Sequence, residues 1–254
     1  MFLDPLKRRL TPEWNRGALR SSDWAGEIVA SLKPITLLDI GCGDGDKLFH
    51  YLKNKPERFC GVEASPSHKA EAEKRGIIVS SYDLNGRWPY ADQSFDVVHC
   101  AFLIEHLHNT RLFAMETFRV LKPGGTAVIT SENLCSFLNL GAMIFGYTPF
   151  TIANCCGWNV GNPFGLYPDK EGTQYVPIDD PAFSGVTGHV RALSVPQGKE
   201  IFEKVGFVTS ATSIGLLPLP DVISKGLEWL FPRRGHFLLI RAVRPKDQNS
   251  CRST

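Results

Sequence analysis

The sequence lacks several features that would place it in a broad class at once. It has no block of like charges, and its formal net charge is only +2, so its charge does not indicate a nucleic-acid partner. No apolar run approaches the roughly 18 residues that a membrane span needs. The first residues do not show the charged segment and apolar stretch of a secretory signal. We therefore expect a globular chain without a membrane span or a nucleic-acid partner.

The cysteines also lack a recognisable pattern. There are seven, an odd number, and their spacing fits neither a disulfide framework nor a zinc site. A reducing cytoplasm is therefore the expected location. A short basic cluster at residues 7–9 is interpreted as a solvated end, with peripheral contact to an acidic surface left open.

Short apolar runs alternate with helical stretches through most of the chain. Strands are predicted at Thr36–Ile40, Arg58–Ala64, Ile77–Tyr82, Phe95–Cys100, Thr126–Thr130, Phe207–Ile214 and His236–Val243. Helices are predicted at Lys47–Asn54, Ser67–Arg75, Arg111–Leu121, 194–205 and Asp221–Leu230, after a helical lead-in over residues 1–33. Alternating strands and helices predict a Rossmann-like, doubly wound α/β fold, with residues 1–254 as a single domain.

A glycine-rich turn follows the first predicted strand. Residues Asp39–Gly45 contain three glycines between a buried strand and a helix, which permits close approach of a ligand to the backbone. A dinucleotide-binding turn would set a pyrophosphate here, but Asp44 and Asp46 would repel it. The cationic sulfonium and ammonium groups of S-adenosylmethionine suit these carboxylates better.

Acidic residues also end the next two strands. Glu63, followed by Ala64, can accept hydrogen bonds from both ribose hydroxyls of a nucleotide. Asp83 can accept the adenine amino group, while the backbone amide of Leu84 reaches a ring nitrogen. The alternatives are a solvent-facing acid at Glu63 and an ordinary turn at Asp83.

The fourth strand leads into Glu105 and His106. An imidazole titrates near neutral pH, so His106 is the candidate general base. The alternative is a histidine that packs against the cofactor or a loop without moving a proton.

Together these motifs resemble those of class I S-adenosylmethionine-dependent methyltransferases, of the methyltransferase type 11 kind that includes ubiquinone and menaquinone methyltransferases. The resemblance covers roughly residues 36–132 and implies a seven-stranded sheet whose last strand is antiparallel. It implies that Asp39, Gly41, Cys42 and Gly43 shape the site for the methionine end of the cofactor. It also assigns the ribose to Glu63, the adenine to Asp83 and Leu84, and a backbone contact with the methionine part to Ala101.

The sequence departs from one pattern of this family. Some ubiquinone-type members bind a divalent metal through Glu-x-x-Glu-His and a later histidine. Here Phe102 replaces the first acid, although Glu105, His106 and His189 could supply the other ligands. We therefore predict that no metal is required.

The acceptor site is predicted in an insertion over residues 133–193. Its first part, residues 133–168, has no charged residue or histidine and contains seven aromatic residues. This composition favours a neutral or apolar acceptor, with Phe150 and Trp158 in a lid and with His189 and Arg191 on an acceptor oxygen or phosphate. The alternatives are packing against the body or a homodimer contact for the insertion, and a loop anchor for His189 and Arg191.

The sequence thus predicts methyl transfer, at an oxygen, to a small molecule or a lipid-like or glycan-linked acceptor. Two alternatives stay open: an NAD-dependent oxidoreductase and a non-catalytic S-adenosylmethionine-binding protein.

Overall fold

The computed structural model describes residues 4–155, 160–165 and 188–246. Its strands are β1 Thr36–Ile40, β2 Arg58–Val62, β3 Ile78–Ser80, β4 Phe95–Ala101, β5 Leu121–Glu132, β6 Val208–Ile214 and β7 Phe237–Val243. Its helices are α1 Asp4–Leu32, α2 Asp46–Phe49, α3 Pro66–Lys74, α4 Thr110–Val120, α5 Phe137–Ile144, α6 Val195–Glu203 and α7 Asp221–Leu227. Short 3₁₀ turns cover Ile104–His106 and Phe150–Ile152.

The strands form one sheet in the order β3-β2-β1-β4-β5-β7-β6. Strands β1 to β5 pair in parallel, whereas β7 is antiparallel to both β5 and β6. This topology confirms the predicted seven-stranded, Rossmann-like sheet with an antiparallel last strand. It also places the ends of β1, β2, β3, β4 and β5 along one edge, where open α/β sheets bind their ligands.

Alternate residues of each central strand enter cores on opposite faces of the sheet. On β1, Leu38 and Ile40 belong to one core cluster, whereas Leu37 belongs to the other. Helices α4 and α6 contribute to the first cluster, and α1 and α3 contribute to the second. The central strands are buried on both faces, which explains why they appear in the sequence as continuous apolar runs.

Several predicted element boundaries differ from the observed ones. Strand β5 begins at Leu121 because the chain pairs with Phe95 before the register shifts, and Thr126 then pairs with Val97. The helix predicted to continue past Phe49 ends there. Helix α7 ends at Leu227, so Trp229 follows the helix instead of lying on it.

Within the predicted insertion, helix α5 and the turn Phe150–Ile152 follow β5. Trp158 and much of the remainder lie outside the described residues. In the part of the chain that the structure covers, no helix is both long and apolar enough to cross a membrane.

Candidate cofactor and acceptor site

The glycine-rich turn is attached to the end of β2. The backbone amides of Gly41 and Cys42 both donate to the carbonyl of Val62, over 2.8 and 3.1 Å. Gly43 has a φ of +55°, and a Cβ built on it meets nothing within 4 Å. This conformation favours glycine and leaves open space above the backbone. The turn therefore has the cradle that a closely approaching cofactor needs.

Glu63 joins this turn to the end of β2. One carboxylate oxygen accepts from the amide of Gly43 at 2.9 Å, and the other accepts from the amide of Ser65 at 2.7 Å. The side chain is thus held in place beside the turn. Its remaining lone pairs can accept hydrogen bonds from ribose hydroxyls.

Replacing Glu63 by alanine should weaken binding of S-adenosylhomocysteine by about 1.5–3 kcal/mol, as for hydrogen bonds to charged groups. Thermal-shift titrations of the variant and the parent measure this difference. Glu57→Ala, which removes an exposed acid just before β2, is the matched control and should leave affinity unchanged. A loss well below about twofold at Glu63 would make it a solvated acid.

The other predicted cofactor residues lie along the same edge of the sheet. Cys42 is buried, and its sulfur lies where a Cβ on Gly61 would clash, so only its backbone can face a ligand. Asp83 uses one carboxylate oxygen to accept from the backbone and side-chain amides of Asn85. It therefore begins a turn, as the alternative interpretation held, and its adenine contact stays a prediction.

Asp39 points toward α1 and is hydrogen-bonded to a residue that the sequence analysis missed. Its carboxylate lies 2.7 Å from Nδ1 of His99, which is its direct neighbour across the β1–β4 pair. His99, Ala101 and Phe102 line a cavity of about 720 Å³ that α1 and α2 also border. In the sequence, this pair is visible as one polar residue in each of two buried strands. The pairing of β1 with β4 places these two residues side by side.

A second polar cluster lies beyond the ends of β4 and β5. Ligand atoms of Glu105, His106 and His189 all lie within 4.8 Å of one another. The rings of His106 and His189 are 4.8 Å apart between centroids. Glu132, the last residue of β5, approaches His189 to 3.9 Å. The apolar run that predicts β5 stops at Thr130, so the sequence gives no sign that this acid ends the strand.

Backbone carbonyls fix both histidine rings. Nδ1 of His106 lies 3.1 Å from the carbonyl oxygen of Gly188, and Nδ1 of His189 lies 2.6 Å from that of Thr151. A carbonyl can only accept a hydrogen bond, so each Nδ1 carries the proton. Nε2 of His106 is then an acceptor, suited to a substrate hydroxyl or to a metal.

Burial controls the protonation of this cluster. Burial, together with the nearby His189, lowers the pKa of His106 to about 4, so its ring is neutral at physiological pH. Burial also lowers the pKa of His189. Burial, with the nearby Glu132, raises the pKa of Glu105 to about 8, so this acid is largely protonated at neutral pH. Glu105, His106 and His189 therefore present neutral groups to an acceptor.

The same residues offer a donor set for a divalent ion. Two imidazoles and one carboxylate are a known combination of ligands. Phe102 stands where the resemblance expects a further acid, and its ring packs 6.0 Å from that of Phe237 instead of turning toward the cluster. Glu105 also accepts a hydrogen bond from Ser131. The donor set is therefore incomplete relative to the family pattern, and independence from metal stays our prediction.

Arg191 has local hydrogen-bond partners beside the predicted acceptor site. Its guanidinium donates to the carbonyls of Leu107 and His108 and to the hydroxyl of Thr110. These contacts favour the alternative interpretation, in which Arg191 anchors the loop before α4. Its contact with an acceptor stays a prediction.

Arg75 modifies the charge argument at the glycine-rich turn. Its guanidinium lies 3.9 Å from the carboxylate of Asp44 and 3.5 Å from that of Asp46. The guanidinium partly compensates the negative charges of both acids. Their repulsion of a pyrophosphate is therefore weaker than the sequence alone implies. The choice between the two nucleotides therefore needs further evidence.

Comparison with known proteins supplies that evidence. Residues 38–129 match the family described as "Methyltransferase domain". A tRNA U34 carboxymethyltransferase from Desulfotalea psychrophila is 28% identical over 180 residues, covering 65% of this chain and 45% of that protein. Ajmaline N-methyltransferase from Rauvolfia serpentina is 33% identical over 107 residues, covering 39% and 37%.

A solved structure shows the same fold. A SAM-dependent methyltransferase from Thermotoga maritima aligns with a TM-score of 0.51 and 18% identity, covering 96% of this chain and 100% of the other. Together the matches confirm the predicted class I methyltransferase domain and its cofactor, S-adenosylmethionine. The chain spans less than half the length of the two relatives named above, and its own acceptor does not follow from theirs.

Proposed function

We propose that the chain transfers the methyl group of S-adenosylmethionine to an oxygen of a neutral acceptor with an apolar part. Such an acceptor is a small molecule that is lipid-like or linked to a glycan. The observation that carries this proposal is an apolar cavity of about 400 Å³ between the segment after β5, α1 and the residues before α7. Its lining has no charged residue and consists of Leu10, Phe137, Leu138, Gly141, Ala142, Phe145, Tyr147, Phe150, Phe164 and Pro218.

The cavity and the histidine cluster share one short piece of backbone. Phe150 lines the cavity, and the carbonyl of the next residue, Thr151, holds the ring of His189. Asn139 of α5 fixes this turn, because its side chain bonds the amide of Phe150 and the hydroxyl of Thr151. We therefore propose that the described part of residues 133–193 is a wall and lid that connects an apolar binding region to the neutral ring of His106.

The chemistry requires alignment, exclusion of water and a place for one proton. The cofactor supplies an electrophilic methyl group, and its carbon–sulfur bond breaks as the acceptor oxygen bonds to carbon. His106 Nε2 accepts the hydroxyl proton, and the apolar wall excludes water. An uncharged wall would desolvate a charged acceptor without compensation, which favours a neutral one.

Incubation with methyl-labelled S-adenosylmethionine and fractionated extracts tests this function. Label should enter a fraction soluble in organic solvent and should survive treatment that cleaves methyl esters if the product is an ether. Label that enters only tRNA or protein would contradict the proposed acceptor class. No transfer to any fraction, together with intact cofactor binding, would favour the non-catalytic alternative.

Trimming the wall tests the role of the insertion. Phe150→Ala should raise the KM for the acceptor about tenfold, because it removes much of an aromatic contact with the acceptor. The lid role proposed for Trp158 from the sequence predicts a similar rise for Trp158→Ala. Affinity for S-adenosylhomocysteine should stay nearly unchanged. Phe202→Ala, a buried phenylalanine in α6, is a control for loss of stability alone. Normal acceptor kinetics, with conversion of a parent dimer to monomers, would make the segment a subunit interface.

A further inference from the structure

Large apolar side chains are exposed together on one side of the molecule. We define the α5–α7 face by Phe137, Met143, Ile144, Phe145, Trp229 and Phe231. The exposed fractions of Ile144, Phe145 and Trp229 are 80%, 78% and 75%. Isolated exposed apolar residues are ordinary, but a contiguous group marks a surface that binds something.

The contacts of Phe137 show that the face is continuous. Its ring lies 5.2 Å from that of Phe231, and its amide donates to the carbonyl of Arg234. Phe145 lines the apolar cavity together with Pro218, which lies just before α7. Helix α5 and residues 218–234 therefore form one surface, with the cavity opening into it.

Helix α5 is apolar on both of its sides. Leu138 and Ala142 are buried against Leu10 and Leu217, whereas Met143 and Ile144 face outward. A helix that is apolar all round is normally enclosed by protein or lipid. Among the described residues, nothing covers the outward side of α5.

Basic residues lie at the edge of this face. Arg8 and Arg9 are exposed and directly precede Leu10, which lines the cavity, and Arg234 donates to the carbonyl of Cys135, just before α5. Within the described chain, none of these three arginines forms an ion pair with a carboxylate. The nearby acids Asp221 and Glu228 are already paired with Arg20. The rim of the face is therefore positively charged.

This arrangement distinguishes between the candidate partners. A second copy packed face to face would bring two basic rims together. An anionic bilayer complements both parts of the surface, since lipid chains receive the apolar residues and headgroup phosphates receive the arginines. Exposed Trp and Phe residues are also typical of the membrane–water boundary.

We propose that the α5–α7 face docks on an anionic lipid bilayer. The apolar cavity then opens toward the membrane. The face shares Phe137 and Phe145 with the proposed acceptor cavity, but vesicle binding needs neither cofactor nor acceptor, so it is measured separately from the proposed methyl transfer.

Sedimentation with lipid vesicles tests the proposal on the full chain. The protein should bind vesicles of phosphatidylcholine with about one quarter phosphatidylglycerol, and should bind pure phosphatidylcholine about tenfold more weakly. The triple variant Ile144→Ser, Phe145→Ser, Trp229→Ser should lose at least about tenfold in partitioning. Arg8→Glu with Arg9→Glu should lose binding to anionic vesicles only.

A matched variant controls for general loss of apolar surface. Ile78→Ser with Val208→Ser changes exposed residues on the two edge strands, and it should bind vesicles like the parent. Light scattering on the same proteins reports the oligomeric state. The proposal is overturned if the parent does not bind anionic vesicles, or if the triple variant binds them equally well. A parent dimer that the triple variant dissociates, without vesicle binding, would assign the face to a second copy.

Discussion

Gly43→Val should abolish binding of S-adenosylhomocysteine. A Cβ built on Gly43 meets no atom within 4 Å, so a new side chain would project into the open space at the turn. A valine would fill the volume that the cofactor needs and would also weaken the hydrogen bond from its amide to Glu63. Isothermal titration calorimetry should detect no binding to the variant under conditions in which the parent binds.

Backbone strain requires its own control, because valine is unfavourable at any positive φ. Gly124 has a φ of +83° in the turn before the main part of β5, at the opposite end of the sheet. Gly124→Val should therefore carry a similar strain and keep full cofactor affinity. Equal losses in the two variants would mean that the effect at Gly43 arises from strain, and unchanged affinity at Gly43 would remove the assigned cofactor site.

His106→Ala should lower kcat about a hundredfold, at the lower end of what a general base contributes. The lowered pKa makes this ring a weak base. Most of its contribution is therefore to hold the acceptor hydroxyl in line with the methyl–sulfur bond of the cofactor. The KM for S-adenosylmethionine should change little. His108→Ala, which removes an exposed histidine two residues away, should leave kcat unchanged.

The pH profile gives a second test of His106. With its pKa at about 4, the ring stays neutral as the pH falls from 8 to 6. Protonation of His106 should therefore not lower the parent's kcat over that range, whereas Glu105, with a pKa of about 8, takes up its proton near the upper end. A histidine with an ordinary pKa of about 6.5 would instead become protonated and lose activity. A fall centred near the ordinary value would contradict the neutral, buried ring.

A chelator separates the base from a metal ligand. We expect full activity after treatment with a chelator, since Phe102 replaces an acid of the family pattern. Loss of transfer that magnesium or zinc restores would contradict this, and it would make Glu105, His106 and His189 ligands. In that case the loss of kcat in His106→Ala would reflect the loss of a metal ligand.

The parts of the fold that repeat a local pattern were predictable from the sequence. Strand β1 has the predicted bounds, because its apolar run ends at the glycines of the turn. The lead-in helix ends at Leu32, just before Pro34, where a helix has to stop. The cofactor edge followed from acids placed directly after strands, since parallel strands end at one edge.

Contacts between distant parts of the chain were not predictable in the same way. Arg191 looks like a ligand for an oxygen or phosphate in the sequence, but the fold brings it to the carbonyls of a loop more than 80 residues earlier. The pairing of Asp39 with His99 depends on the register between β1 and β4. The exposed side of α5 also has no sequence signal, because an apolar helix without a cover looks like a buried one.

Calorimetric titration of the parent protein with S-adenosylhomocysteine and with NADH tests the central claim most directly. Both ligands contain adenosine, so the comparison isolates the remainder of each molecule. The account predicts saturable binding of S-adenosylhomocysteine and none of NADH at the same concentrations. Binding of NADH without binding of S-adenosylhomocysteine would contradict it.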